Sequence, residues 1–347
     1  GGITENYIGE AETGYEENTA SSYESEDTCD SVSSSYDAAY NGYGDYYAYD
    51  DYGYNNEEYN YEEPNQFTYV SDNPLSTFAA DVDTASYSNI RRMINNGEQV
   101  NPDAVRIEEM VNYFNYDFKG PSGDEPFGVN AEICDCPWSS YTKLMMVGLQ
   151  TEEIDFNKSP KSNIVLLLDV SGSMNEPDKL PLMQKAFSGL IDNLGSKDRV
   201  SIVTYAGEDK VLVAGATGDD KTELKAVIES LEASGGTAGS KGIITAYDLA
   251  SKYFIKGGNN RVLLATDGDL NIGLTSEEDL SELVKEEKKS GVYLSVLGFG
   301  TGNLKDDRLE TLADDGNGNY AYIDSEYEAK KVLVEELGGT LVTVAKD

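Results

Sequence analysis

The chain has 347 residues, with 64 acids against 26 bases, no histidine, three cysteines and a formal charge of −38. So negative a surface repels phosphates, which excludes nucleic acid and anionic lipid as natural partners. Without histidine there is no His-based triad, no usual catalytic zinc site and none of the commonest general base.

The first 64 residues hold 17 acids, 13 tyrosines and no Lys or Arg. A stretch so poor in aliphatic side chains cannot offset its chain entropy by burial, so residues 1–65 read as a disordered acidic tether. Near Gln66 the composition changes. Ala85–Asn95 reads as a short helix ended by Asn96-Gly97, with Asp81 and Asp83 as candidate N-caps. After Pro102, the residues Val105, Ile107, Met110, Val111 and Phe114 form a partial 3.6-residue stripe and predict a stronger helix. Phe127–Cys134 and Lys143–Leu149 read as strands around a Pro137-Trp138 turn, with Trp138 as a packing anchor. Residues 66–160 thus make a small α+β module. Cys134 and Cys136 read as buried or free thiols, and a bridge from Cys29 to either stays open.

From residue 161 strands and helices alternate. Ile164–Leu168 is the longest wholly apolar run; it suits a strand buried on both faces and is far too short to span a bilayer. Leu182, Ala186, Leu190 and Leu194 step along a helix that Gly195 ends. Strands follow at Val200–Thr204 and, on an edge, Val211–Ala214. Helices at Lys221–Leu231 and Gly239–Phe254 precede a strand at Arg261–Ala265. A capping box at Thr275–Glu278 opens the next helix and Gly291 closes it. Strand Tyr293–Gly298, helix Lys305–Ala313, a turn at Asp315–Asn319, strand Tyr320–Ile323 and helix Glu326–Leu337 complete residues 161–347. The predicted class is α/β, a doubly wound and mostly parallel sheet with helices on both faces.

In such sheets ligands sit beyond the carboxyl ends of the strands. Three loops there are rich in oxygen: Asp169-Val170-Ser171-Gly172-Ser173, Gly235-Gly236-Thr237 and Thr266-Asp267-Gly268-Asp269. Asp169, Ser171, Ser173, Thr237 and Asp267 are the candidate ligands of a hard cation, Mg²⁺ or else Mn²⁺ or Ca²⁺. Two carboxylates leave a divalent ion partly hydrated and able to accept one more carboxylate, from a partner.

These residues, in this order, resemble the metal-ion-dependent adhesion site of von Willebrand factor A domains, over about Asn163–Leu341. The resemblance implies that Asp169, Ser171 and Ser173 hold the ion, with Thr237 and Asp267 contributing directly or through water. Upstream, the runs Phe78–Tyr87 and Asp103–Met110 and the triplet Cys136-Pro137-Trp138 resemble a bacterial subfamily labelled as calcium-activated chloride-channel-like homologues. That likeness implies an exported protein, at the cell surface or in the periplasm, tethered as a lipoprotein through an anchor upstream of this chain. No signal segment is visible, and the chain opens on Gly1 rather than Met.

The expected function is non-enzymatic: an adhesion module that captures a protein or glycan through an exposed carboxylate. The alternative is an assembly or regulatory factor working beside an ATPase. A metal-dependent hydrolase is the weakest of the three, because no general base accompanies the two carboxylates.

Overall fold

The computed structural model describes residues 57–59, 66–77, 82–123, 125–151, 160–236, 242–268, 277–302 and 304–335. Residues 1–56, Cys29 among them, lie outside that set, as do Asp81, Thr237, Asp269 and Thr275.

In chain order the elements are α1 (Ala85–Asn96), α2 (Ile107–Asn112), β1 (Phe127–Asp135), β2 (Lys143–Thr151), β3 (Ser162–Asp169), α3 (Leu180–Asp192), β4 (Arg199–Tyr205) and β5 (Asp209–Thr217). They continue with α4 (Lys221–Glu229), α5 (Gly242–Lys252), β6 (Asn259–Thr266), α6 (Glu277–Ser290), β7 (Val292–Phe299), α7 (Asp306–Asp315), β8 (Tyr320–Ile323) and α8 (Glu326–Lys330). The six-stranded sheet runs β5-β4-β3-β6-β7-β8, with only β5 antiparallel to its neighbour. Every residue of β3 and of β6 is buried, as a strand covered on both faces requires.

Side-chain alternation sorts the core into two layers. Ile164, Leu166 and Leu168 face α3, α4 and α8, while Val165 and Leu167 face α5, α6 and α7. The α/β class predicted from periodicity is the one observed. Successive connections leave β3 toward β4 but leave β6 toward β7, so the sheet's topological switch point lies between β3 and β6.

The upstream segment serves one edge of this sheet. The outer backbone of β8 is met by side chains: Tyr320 N donates to Asp83 Oδ1 (3.0 Å), and Ser88 Oγ on α1 donates to Tyr322 O (2.9 Å). Covering an edge strand this way removes a template for unwanted pairing. It also gives Asp83 a role on β8 rather than at the N-cap position of α1, which is Thr84 and makes no side-chain cap bond; the helix ends as expected at Gly97, in the left-handed region (φ 72°). Of the first 65 residues, Glu57–Tyr59 are described, and they lie against the same end of the domain. Glu57 pairs with buried Arg92 (2.8 Å) and accepts from Gly302 N (3.0 Å), while Glu58 N donates to Leu304 O (3.0 Å).

The helix expected after Pro102 is broken. A single 3₁₀ turn at Pro102–Ala104, capped by Asn101, precedes the six-residue α2. Four residues of the supposed apolar stripe are exposed, Ile107 at 72% and Phe114 at 48% among them, and Met110 is half-buried, whereas Arg106 and Glu109 are buried. The inward face is polar because it meets a polar target. Arg106 pairs with Glu109, with Asp306 Oδ2 (2.5 Å) and with Glu310 Oε2 (3.2 Å), and Asp306 also accepts from Asn89 and Tyr320.

Three carboxylates around one guanidinium leave an excess of negative charge, and a proton settles it. Burial first, then the charges of Glu109 and Asp306, push the Glu310 carboxyl up to about 8 against the pull of Arg106. A carboxyl raised on folding costs nothing below its unfolded value near 4.5. The cost grows as pH rises and is complete above about 8. Glu310→Gln should therefore match the wild type in urea melts at pH 4 and exceed it by about 2 kcal/mol at pH 9, a figure discounted for partial exposure. Equal stability of the two proteins at pH 9 would count against this assignment.

β1 and β2 form the expected antiparallel hairpin, Phe127 opposite Thr151 and Asp135 opposite Lys143. Trp138 is 77% exposed, so it is not the packing anchor expected from its Pro137 neighbour. Cys134 and Cys136 are free thiols, exposed and half-buried.

Candidate metal centre

Asp169 is the last residue of β3, and Asp267 directly follows β6. The strands are neighbours, with Leu168 opposite Ala265, so both carboxylates emerge side by side at the switch point. Both are buried, at 0% and 1% exposure. The loop after β3 folds back on its own aspartate: Ser171 N donates to Asp169 Oδ1 (2.9 Å), and the hydroxyls of Ser171 and Ser173 lie 3.0 Å apart. A glycine between the serines lets this loop press against a second one. Gly172 N donates to Gly235 O (3.1 Å) and Ser234 N to Val170 O (2.9 Å). The Gly235-Gly236 stretch is thereby seated on the Ser171–Ser173 loop, one residue short of Thr237, which lies outside the described residues.

Burial pushes the Asp169 carboxyl up to about 6, helped by the charge of Asp267 and opposed by hydrogen bonds from Ser171. Thr266 Oγ1 donates to Asp169 Oδ2 (3.3 Å) and receives Gly268 N (3.2 Å), tying the two loops together. Tyr205, opposite Asp169 on β4, is fully buried, and both burial and the Asp169 carboxylate hold its phenol well above the ordinary value. On the other carboxylate, Lys179 Nζ donates to Asp267 Oδ2 (2.8 Å), with both side chains almost wholly buried.

Four of the five sequence-predicted ligands are therefore gathered at one strand edge, and the chain leading to the fifth is brought beside them. Among the described residues Asp267 Oδ1 is buried with no hydrogen-bond partner. A buried carboxylate oxygen so placed is costly unless it receives a cation or a donor. Among the described residues no three His, Cys, Asp or Glu gather as a cation site, so the donors here are two carboxylates and two hydroxyls. That oxygen-only set fits Mg²⁺, Mn²⁺ or Ca²⁺ rather than a soft metal. Sequence reasoning missed Thr266, Tyr205 and Lys179. Thr266 was discoverable as the neighbour of Asp267 at a strand end, whereas nothing local marks Tyr205 or Lys179.

Two family models match the sequence: von Willebrand factor type A domain over residues 163–336, and a segment described as von Willebrand factor over residues 53–146. An uncharacterised protein of Escherichia coli (strain K12), YfbK, is 43% identical over 292 residues, covering 82% of this chain. The chain spans about half of that relative's length (51%). Inter-alpha-trypsin inhibitor heavy chain H3 of Homo sapiens is 26% identical over 192 residues, covering 52% of this chain and 21% of that protein. Among solved structures, BatB from Bacteroides thetaiotaomicron aligns with a TM-score of 0.43 at 23% identity, covering 52% of this chain and 98% of that one.

Proposed function

Because this chain belongs to the von Willebrand factor type A domain family, we propose that it is a divalent-cation-dependent binding module that captures a protein or glycan through an exposed carboxylate. The observation that carries the reading is the pair of buried carboxylates at the switch point, faced by the Ser171 and Ser173 hydroxyls and with Asp267 Oδ1 unmatched. Asp169, Ser171 and Ser173 would hold the ion. Thr237 and Asp267 would complete its surroundings directly or through water. When bound, the ion supplies a positive centre with exchangeable positions, open to one more carboxylate.

The chain's own residues do the rest. Ser171 N and Thr266 Oγ1 fix the orientation of Asp169, the neighbouring Gly235 loop sets the position of the serines, and Tyr205 closes the floor. Among the described residues no helix is long and apolar enough to cross a membrane. In our reading the protein is exported and held at the cell surface or in the periplasm by a lipid anchor upstream, residues 1–65 acting as a tether that is fastened to the domain at Glu57 and Glu58, 66–160 as an edge-covering module and 161–347 as the binding domain.

Calorimetric titration of Mg²⁺, Mn²⁺ and Ca²⁺ into chelator-treated protein tests the core of this. Saturable binding near one site per chain is expected, weakened at least about tenfold by Asp169→Ala and by Thr237→Ala, as loss of an ion's direct or oriented ligand implies. Heats unchanged by either substitution would show that any cation is held elsewhere, and the reading would fall.

A further inference from the structure

Lys179 is placed with more care than a chance surface lysine. It stands just before α3, ten positions beyond Asp169 in the sequence, with a side-chain exposure of 6%. Its stem runs across the backbone of Gly300: a Cβ at that glycine would fall 2.3 Å from Lys179 Cγ and 2.5 Å from its Cε. Gly300 is itself in the left-handed region (φ 75°), and its carbonyl is held by the Tyr322 hydroxyl (2.9 Å). The lysine thus lies in a channel that only glycine leaves open. At its end the ammonium donates to Asp267 Oδ2, while Oδ1 of the same carboxylate has no hydrogen-bond partner among the described residues.

Two buried carboxylates and one buried ammonium give the pocket one net negative charge. Were the ammonium absent, a divalent ion would leave the pocket neutral. With the ammonium in place, the same ion leaves one net positive charge. Charges a few ångströms apart in a desolvated site interact strongly, so this difference acts on both the ion and what the ion attracts.

We infer that Lys179 is a resident counter-cation of the metal centre, which lowers the site's affinity for the divalent ion and keeps the loaded centre positive enough to demand an anionic partner. This inference rests on the metal-site reading above. Lys179 is a positioning residue: it acts on the ion through Asp267. Its role explains why Asp267, next to a carboxylate it repels, is not left as a second uncompensated charge. It also gives the captured group a chemical class, a carboxylate or other small oxyanion rather than a neutral hydroxyl.

The test is Mn²⁺ titration by calorimetry into chelator-treated full chain, comparing wild type with Lys179→Met, Lys179→Gln and Lys179→Arg. Removing the charge is expected to tighten Mn²⁺ about tenfold in both Met and Gln variants, while Arg stays near wild type. The Gln variant keeps a donor for Asp267, so it reports on charge even where Met compromises folding. A purely structural lysine would lower melting temperature on substitution without tightening the ion. Mn²⁺ affinity in Lys179→Gln equal to or weaker than wild type would overturn the inference. Asp169→Ala run alongside separates the two failures. If it abolishes Mn²⁺ binding while Lys179→Gln leaves it unchanged, only the role of Lys179 falls; if it too leaves binding unchanged, the metal site itself falls.

Discussion

Arg106→Met should destabilise the chain by about 3–5 kcal/mol at pH 8, the range expected when one member of a buried ion cluster is removed and its partners stay behind. The guanidinium is the only cation in contact with Glu109, Asp306 and Glu310 among the described ion pairs, and two of those three acids are fully buried. Methionine roughly fills the volume but leaves three acids facing one another. Their common escape is to take up protons, so the deficit should shrink markedly at pH 5. The substitution also cuts the link between α2 and α7, and with it the register of the edge-covering segment, whose Ser86 N and Oγ are held by Glu109 and Ala104. Urea unfolding at both pH values measures this. A loss below about 1 kcal/mol at pH 8, or a loss that does not change with pH, would mean that the cluster is not what fastens the segment.

That cluster also marks the limit of what the sequence made legible. Strands such as Ile164–Leu168 and Tyr320–Ile323 were readable because burial on both faces demands an uninterrupted apolar run, a purely local property. The loops bearing Asp169, Ser171, Ser173 and Asp267 were readable for a related reason: their place follows from where a strand ends. The segment before the sheet obeys a different logic. Its inward face meets the polar backbone of β8 and the acids of α7, so Asp83, Ser86, Arg92, Arg106 and Glu109 are buried there beside the apolar Ala85, Ile90, Met93 and Ala104. A stripe search looking for Val, Ile and Phe selects the wrong face of such a helix. Lys179 escaped for a third reason. Its partner is 88 positions away, and only the fold shows that the start of α3 passes over the end of β6.

In chelator at pH 8, Asp169→Asn should melt higher than the wild type, and with saturating Mg²⁺ the order should invert. Burial raises the Asp169 carboxyl from 3.8 to about 6 on folding, so the folded chain prefers it protonated. The resulting cost is absent below the unfolded value, grows as pH rises and is complete above about 6. Two pH units correspond to roughly 3 kcal/mol, which asparagine avoids by carrying no charge. Its amide oxygen still accepts from Ser171 N, so the loop keeps its shape. Mg²⁺ acts in the opposite sense: an ion at about a thousand times its dissociation constant adds about 4.1 kcal/mol to the chain that binds it, more than the cost it must offset, and nothing to one that does not. Scanning calorimetry with chelator and with Mg²⁺ gives four melting temperatures. A variant that gains as much from Mg²⁺ as the wild type would place the ion away from Asp169. A variant less stable than wild type in chelator would show instead that the carboxylate is already compensated by the protein, without any ion. The inverted order would mean that the charge which weakens the fold is retained for the ion it receives, a stability cost located at the functional site.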